Sequence, residues 1–345
     1  MTPRERWLSL LNNERPDRIP ADYWATPEVT ERLMRELGCA DPDTLFEKLH
    51  IDRPDQIVPI ENFASGSPDQ WGISYRDMAY GTGVYRETAN HPMAEFTTVE
   101  QIHNYSWPNP DDLDWEAVGT KVKALRGRRI VRCGHYEPFL VYCLLRGMEQ
   151  AMVDLIAEKE IAHAILDHLF DYCYAVNERA FDIGNGIIEL TYIAEDLGSQ
   201  HGLLMGLDQV REFLLPKQKK MADLARSHGI HIFYHTDGAA REVIPDLIKI
   251  TGIEILNPIQ WRCPGMDREG LVRDFGDKVV FHGAVDNQQT LAFGSEEDVR
   301  REVLDNIRIF EKARWICAPC HNIQPISPTE NIVAMYETIW ENGRW

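Results

Sequence analysis

The chain reads as an α/β protein, a (β/α)8 barrel of the TIM type with an N-terminal helical extension and an insertion near the barrel mouth. Three observations predict this. Short β-rich runs that end in Gly or polar residues recur eight times, and most are followed by a longer helical pattern. The connections between these runs are short, as βα units require. No linker, low-complexity tract or internal repeat interrupts the 345 residues, so one barrel domain spanning 1–345 is expected rather than two domains. A doubly wound open sheet would need a Gly-rich phosphate turn after its first strand, and Tyr23-Trp24-Ala25-Thr26-Pro27 is not one.

In chain order, the strands are expected at residues 18–23, 56–61, 129–135, 187–195, 230–235, 253–257, 278–284 and 315–319. The last five are the clearest. Helices are expected over 207–228, 241–251, 267–275 and 296–312. Ser295 offers a capping hydroxyl ahead of Glu296, Glu297 and Asp298, where the helix dipole favours acids. Thr98 with Gln101, and Ser327 with Glu330, have the spacing of capping boxes, the second with Pro328 at the first helical position. The stretch 63–115 lacks helical periodicity. Its Gly81-Thr82-Gly83 turn, with Trp71 and Tyr75, points to a hairpin inserted near the mouth.

Composition narrows the function classes. Lys plus Arg is 36 against 55 Asp plus Glu, a formal net charge of −19, with no run of five or six basic residues. Such a chain repels a phosphate backbone, which argues against nucleic acid. No apolar run approaches the ~18 residues that span a bilayer, and the start is not a charged segment followed by an apolar one. Seven cysteines, an odd and scattered set, do not form a disulfide framework. A reducing cytoplasm is the expected compartment.

In a barrel of this kind the functional side chains sit at the carboxyl ends of the strands. The polar residues collected there are His135, Tyr136 and Glu137; Tyr192, Glu195 and Asp196; His235 and Asp237; Asn257 and Gln260; His282 and Asp286; and Cys317, Cys320, His321 and Asn322. His235 and Asp237 form the sharpest pair. Residues i and i+2 of an extended chain point to one side, so both can face the mouth and share a cation. Cys320 completes a nitrogen, oxygen and sulfur set with an open fourth position, the pattern of a catalytic zinc site. The same pair also reads as a helix cap beside a backbone-bonded histidine, and spacing alone does not separate the two.

Glu195-Asp196 is an acidic step of which one member should face the mouth, as a further ligand or as a general acid raised by burial. The alternative is a helix-capping acid beside a surface acid. His282 is a candidate proton donor or an internally bonded core histidine. Tyr23, Tyr192 and Asn257 are candidates to line a substrate pocket, with His135 and His321 at its rim; for the aromatics, packing is the competing reading. Cys317-x-x-Cys320-His321 has the spacing of c-type haem attachment, but that chemistry needs an exported chain.

Over nearly its whole length the chain resembles the uroporphyrinogen decarboxylase superfamily. The resemblance rests on Arg4-Glu5-Arg6 with residues 15–20 (RPDRIP), 194–200 (AEDLGSQ), 256–260 (LNPIQ), 283–286 (GAVD), 290–294 (TLAFG) and 318–324 (APCHNIQ), in that order. It implies a (β/α)8 barrel and one of two activities. Decarboxylases of the family bind a poly-anionic substrate through an Arg-rich N-terminal loop, whereas this chain has Pro20-Ala21-Asp22-Tyr23-Trp24 there. The other branch comprises zinc-dependent methyltransferases that work with corrinoids. Their His-x-Cys…Cys metal motif maps onto His235, Asp237 and Cys320, with Asp in place of the first Cys. A carboxylate in place of a thiolate gives a harder, more Lewis-acidic ion, better suited to an ether oxygen than to a thiol.

The expected activity is therefore transfer of a methyl group from an O-methyl donor, such as an aryl methyl ether, to a corrinoid. The zinc would be held by His235, Asp237 and Cys320, with Glu195, Asp196 and His282 as catalytic groups. The corrinoid would be carried by a partner protein. The resemblance also implies a homodimer. Decarboxylation of uroporphyrinogen or a smaller acid, and non-catalytic binding of a corrinoid or tetrapyrrole, are the alternatives.

Overall fold

The computed structural model describes residues 1–59, 68–80, 83–125, 127–134 and 136–344. Seven strands form one parallel, curled sheet: β1 (Asp55–Ile57), β4 (Val131–Cys133), β5 (Leu190–Ala194), β6 (His231–His235), β7 (Ile255–Ile259), β8 (Val280–Val285) and β9 (Arg314–Pro319), neighbours in that order. The remaining two, β2 (Tyr75–Tyr80) and β3 (Gly83–Thr88), pair antiparallel as the expected inserted hairpin. Residues 81 and 82 of its turn, and residues 60 and 61 of the second expected strand, lie outside the described residues.

The first expected strand, 18–23, is only partly realised. It meets β9 through an isolated parallel bridge, Ala21 to Cys317, with Asp22 N–H donating to Cys317 O (2.8 Å) and Cys317 N–H to Pro20 O (2.9 Å). On its other side Asp52 N–H donates to Ala21 O (2.6 Å). Local chemistry explains why no regular ladder forms. Pro20 has no N–H. The N–H of Ala21 goes to the Asp52 carboxylate (3.0 Å) and that of Tyr23 to the Asp22 carboxylate (2.7 Å), not to strand carbonyls. The sheet is thus seven strands curled in the manner of a TIM-like barrel, with this segment between its two edges.

Other elements follow the sequence with shifted ends. The helix expected at 207–228 widens to π turns over Val210–Leu214 before continuing as Leu215–Ser227. Pro216 lacks the N–H and its ring would strike the carbonyl of residue 212 in a regular α-helix, which the wider turn avoids. The capping box at Thr98 forms as read, and the Ser295 hydroxyl caps its helix as read, with Asp298 completing a box the sequence reading did not include. The one at Ser327 does not: the helix starts one residue later, Thr329–Asn342, and the buried Ser327 hydroxyl is left without a partner.

The core has two regions. Alternation along β6 sends Ile232 and Tyr234 to the helix layer, and Phe233 and His235 to the barrel interior. The interior floor is apolar, built from Ile130, Leu190, Phe233, Ile255, Val280 and Ile316. Trp7 of the N-terminal helix Pro3–Leu11 closes it, fully buried, with its indole N–H on Asp52 O (2.9 Å). All seven cysteines are free. Among the described residues no helix is long and apolar enough to cross a membrane.

Candidate metal centre at the mouth of the barrel

Three side chains converge at the ends of β5 and β6: Asp196, His235 and Asp237 each place one ligand atom within 4.8 Å of the others. His235 Nε2 lies 3.5 Å from Asp196 Oδ1 and 3.9 Å from Asp237 Oδ2. The backbone enforces this. Glu195 N–H donates to His235 O (3.0 Å) and Leu197 N–H to Thr236 Oγ1 (3.1 Å), so the residues flanking Asp196 are tied to His235 and to the residue between His235 and Asp237. Gly238 then turns the chain with φ +76°, a left-handed conformation; a Cβ there would overlap the Ser199 carbonyl oxygen. Its N–H is held by Gln260 Oε1 (2.8 Å).

Beneath His235 runs a chain of buried hydrogen bonds. Trp24 Nε1–H and His282 Nε2–H both donate to Asp22 Oδ2, at 2.9 Å each. Asn257 Nδ2–H donates to His282 Nδ1 (2.7 Å), and His235 Nδ1–H donates to Asn257 Oδ1 (2.5 Å). Each bond fixes the next: a His282 that donates to Asp22 accepts from the Asn257 amide, so Asn257 turns its oxygen to His235. The His235 proton is thereby held on Nδ1, and the Nε2 lone pair faces the two carboxylates. Burial lowers the pKa of His282, keeping it neutral. Burial alone would raise that of Asp22, but the His282 bond and the nearby Arg132 charge hold it below its usual value.

These residues suit a divalent cation. Asp237 Oδ1 is buried without a hydrogen-bond partner, and burial raises its carboxyl against the pull of His235 and His321. The ligand atoms stand 3.5 and 3.9 Å apart, close to the edge of about 3.4 Å of a tetrahedron with metal bonds of about 2.1 Å. Orientation of a ligating imidazole through its other nitrogen is the second-shell arrangement such sites use. Glu137, raised by burial and within the field of His235 and Asp196, adds a third carboxyl nearby.

The structure redistributes the residues singled out in the sequence. Asp196, rather than Cys320, is the third residue of the cluster. The Cys320 thiol, pushed well above its usual pKa by burial, donates instead to Ile259 O (3.1 Å). Glu195 faces away from the mouth, on the helix-layer side of β5: it is buried, Oε2 accepts from Phe139 N–H (3.0 Å), and burial keeps it protonated well above the usual carboxyl range. His282 and Asn257 lie within the buried chain rather than against a substrate, because both His282 nitrogens and both Asn257 polar atoms are already engaged.

His321 sits half-exposed at the rim with Nε2 3.7 Å from Asp237 Oδ2. Trp24 stacks on the His235 ring with centroids 5.7 Å apart, and Tyr192 lies tilted against it at the same distance. Tyr23 lines an adjoining cavity, with its hydroxyl bonded to Thr30 (2.8 Å). His135 lies outside the described residues. Sequence reasoning missed Asp22 and Arg132. For Arg132 the signal was present, since an arginine interrupts the apolar strand run RIVRC.

Comparison with known proteins places this geometry in context. The profile described as "Uroporphyrinogen decarboxylase (URO-D)" matches residues 70–341. A curated uroporphyrinogen decarboxylase from Prochlorococcus marinus is 27% identical over 182 residues, 52% of this chain and 48% of that protein. The match therefore spans about half the length of that relative. A solved structure described as a methyltransferase from Methanosarcina mazei superposes with a TM-score of 0.72 over 99% of both chains, at 17% identity. That likeness shows a shared fold.

Proposed function

The chain belongs to the uroporphyrinogen decarboxylase family, and on that premise we propose that it is a metal-dependent methyltransferase moving a methyl group from an O-methyl donor to a corrinoid on a partner protein. The observation that carries the reading is the Asp196–His235–Asp237 cluster, with the His235 tautomer fixed from behind by Asn257, His282 and Asp22. The fold shared with the Methanosarcina methyltransferase supports it. Asp196, His235 and Asp237 would hold zinc, and when bound the ion supplies Lewis acidity at the departing oxygen. Two carboxylates and one imidazole make a hard donor set, matched to oxygen. The methyl–oxygen bond would leave its electron pair on oxygen, with the partner's reduced corrinoid as the two-electron acceptor of the methyl group. His321, at the rim beside Asp237, is placed to return a proton to that oxygen. Trp24 and Tyr192 wall the space beside His235 and suit a flat, aromatic donor.

The test is metal content with turnover. Protein purified without chelator should carry stoichiometric zinc, and His235→Ala should lose it. Methoxylated donors with reduced cobalamin should yield the methylcobalamin spectrum. Absence of zinc from the wild type, or no spectral change with any donor, overturns the reading. Decarboxylation of an acid is the second reading, favoured by the family match and the curated relative. It predicts carbon dioxide release with no corrinoid present. The chain would act in the cytoplasm and pair as a homodimer under either reading.

A further inference from the structure

Buried arginines in this chain are paired: Arg18 with Asp52 and Arg146 with Asp154, each at 2.7 Å. Arg132, on β4, departs from this rule. It is 9% exposed, its Nη1 is buried without a hydrogen-bond partner, and among the described residues it forms no ion pair. Three rings surround it instead: its guanidinium carbon lies 5.0 Å from the centroids of Trp24, Tyr192 and Phe233. Aromatic faces return only part of what desolvating a full charge costs. The acid whose charge acts most strongly on it is Asp22, but its two oxygens already accept from Tyr23 N–H, Trp24 Nε1–H and His282 Nε2–H. Asp22 thus attracts Arg132 at a distance and makes no bond to it.

Arg132 borders a cavity of about 570 Å³, within the range of small-molecule sites. Arg53 borders the same cavity and, among the described residues, is likewise unpaired, with its Nε buried and without a partner. Two guanidinium groups around one cavity with no acid paired to them among the described residues are conspicuous in a chain of net charge −19. Trp24 and Tyr192 form the shared wall. Both rings touch the Arg132 side, and both lie 5.7 Å from the His235 ring, Trp24 stacked and Tyr192 tilted. A smaller adjoining cavity, about 180 Å³, runs from Arg132 to Glu137, whose carboxyl lies in the field of His235 and Asp196.

We propose that Arg132, seconded by Arg53, is a carboxylate-binding subsite that anchors a planar aromatic acid along the Trp24–Tyr192 wall, with its far end at the Asp196–His235–Asp237 cluster. The proposal rests on that cluster being the reaction site and narrows its substrate to an arene carboxylate. The guanidinium fork donates N–H bonds to both carboxylate oxygens, and the carboxylate is the acid partner that the described residues do not supply.

Isothermal titration calorimetry on the full chain tests it with 4-methoxybenzoate and its neutral counterpart 4-methoxybenzamide. The wild type should bind the carboxylate about 10- to 100-fold more tightly. Arg132→Met should abolish that preference while leaving the melting temperature unchanged or higher, because it removes an unpaired buried charge. Arg53→Met, at a half-buried position, should reduce the preference in part, and it keeps the test open if Arg132→Met does not fold. Equal affinity for the two probes, no binding of either at millimolar concentration, or a preference that survives either variant undiminished overturns the proposal. The readout involves neither methyl transfer nor metal. Carboxylate preference without methylcobalamin formation would uphold the subsite and refute the transferase reading.

Discussion

Replacing His282 with Phe keeps a flat ring in the barrel interior and deletes the middle of the chain that orients His235. Two buried bonds are lost, His282 Nε2–H to Asp22 at 2.9 Å and Asn257 Nδ2–H to His282 at 2.7 Å. A bond to a charged group is worth about 1.5–3 kcal/mol, and the Asn257 donor left unsatisfied costs about 1–3 kcal/mol. The sum, roughly 2.5–6 kcal/mol, is a large share of the ~5–15 kcal/mol that holds a typical domain. Urea denaturation of the metal-free chains should register this loss directly. Asn257 is then free to swing, and His235 no longer keeps its proton on Nδ1. Loss of such an outer partner lowers metal affinity by about 10- to 100-fold, and competition against a chromophoric chelator near neutral pH would measure it. A stability change below about 1 kcal/mol would mean that the buried chain is not formed in solution. A full stability loss with unaltered zinc affinity would mean that His235 is oriented without it.

Other expectations bear on separate parts of the molecule. Cys320→Ala should retain stoichiometric zinc, since its thiol is engaged with Ile259 O rather than with the cluster; loss of zinc would restore the thiol as a ligand. Arg146→Met should cost about 3–5 kcal/mol in chemical denaturation, because it strands the fully buried Asp154 carboxylate and frees the carbonyls of Met93 and Phe96 that Arg146 holds. The pair His231–Glu254, 2.7 Å apart at the strand starts, should make stability pH-dependent. The Glu254 bond raises His231 above its usual 6.5, so its contribution is complete below that pH and fades as pH rises through the higher folded-state value. Burial alone would raise Glu254, but His231 and the Ile232 N–H hold it below 4.5, so its contribution fades only as pH falls below that. His231→Gln should therefore lower the melting temperature more at about pH 5.5 than at about pH 9. Equal shifts at the two pH values would refute the pairing.

Period-two and period-3.6 patterns are local, and they made most of the architecture legible. All seven strands of the main sheet fall on expected β-rich runs, and the hairpin at Tyr75–Thr88 falls in the stretch flagged by Trp71, Tyr75 and the Gly81–Gly83 turn. The 18–23 segment failed as a strand for a reason that spans the chain, since the carboxylate that takes the Ala21 N–H is Asp52. His235 and Asp237 were legible because i and i+2 share a face. Which member of Glu195-Asp196 joins them was not, because it depends on how the end of β5 is tied to the end of β6.

The class of fold, the acidic balance and the His-x-Asp pair follow from residue type and spacing alone. The folded chain settled the third member of the cluster and the fate of the other candidates. It set the Cys320 thiol against Ile259, turned Glu195 into the helix layer, and made His282 and Asn257 a scaffold for His235. It also enclosed Arg132 among three rings with no acid paired to it among the described residues. Those outcomes depend on contacts between residues tens to hundreds of positions apart, as His282 and Asp22 are, and local spacing carries no information about them.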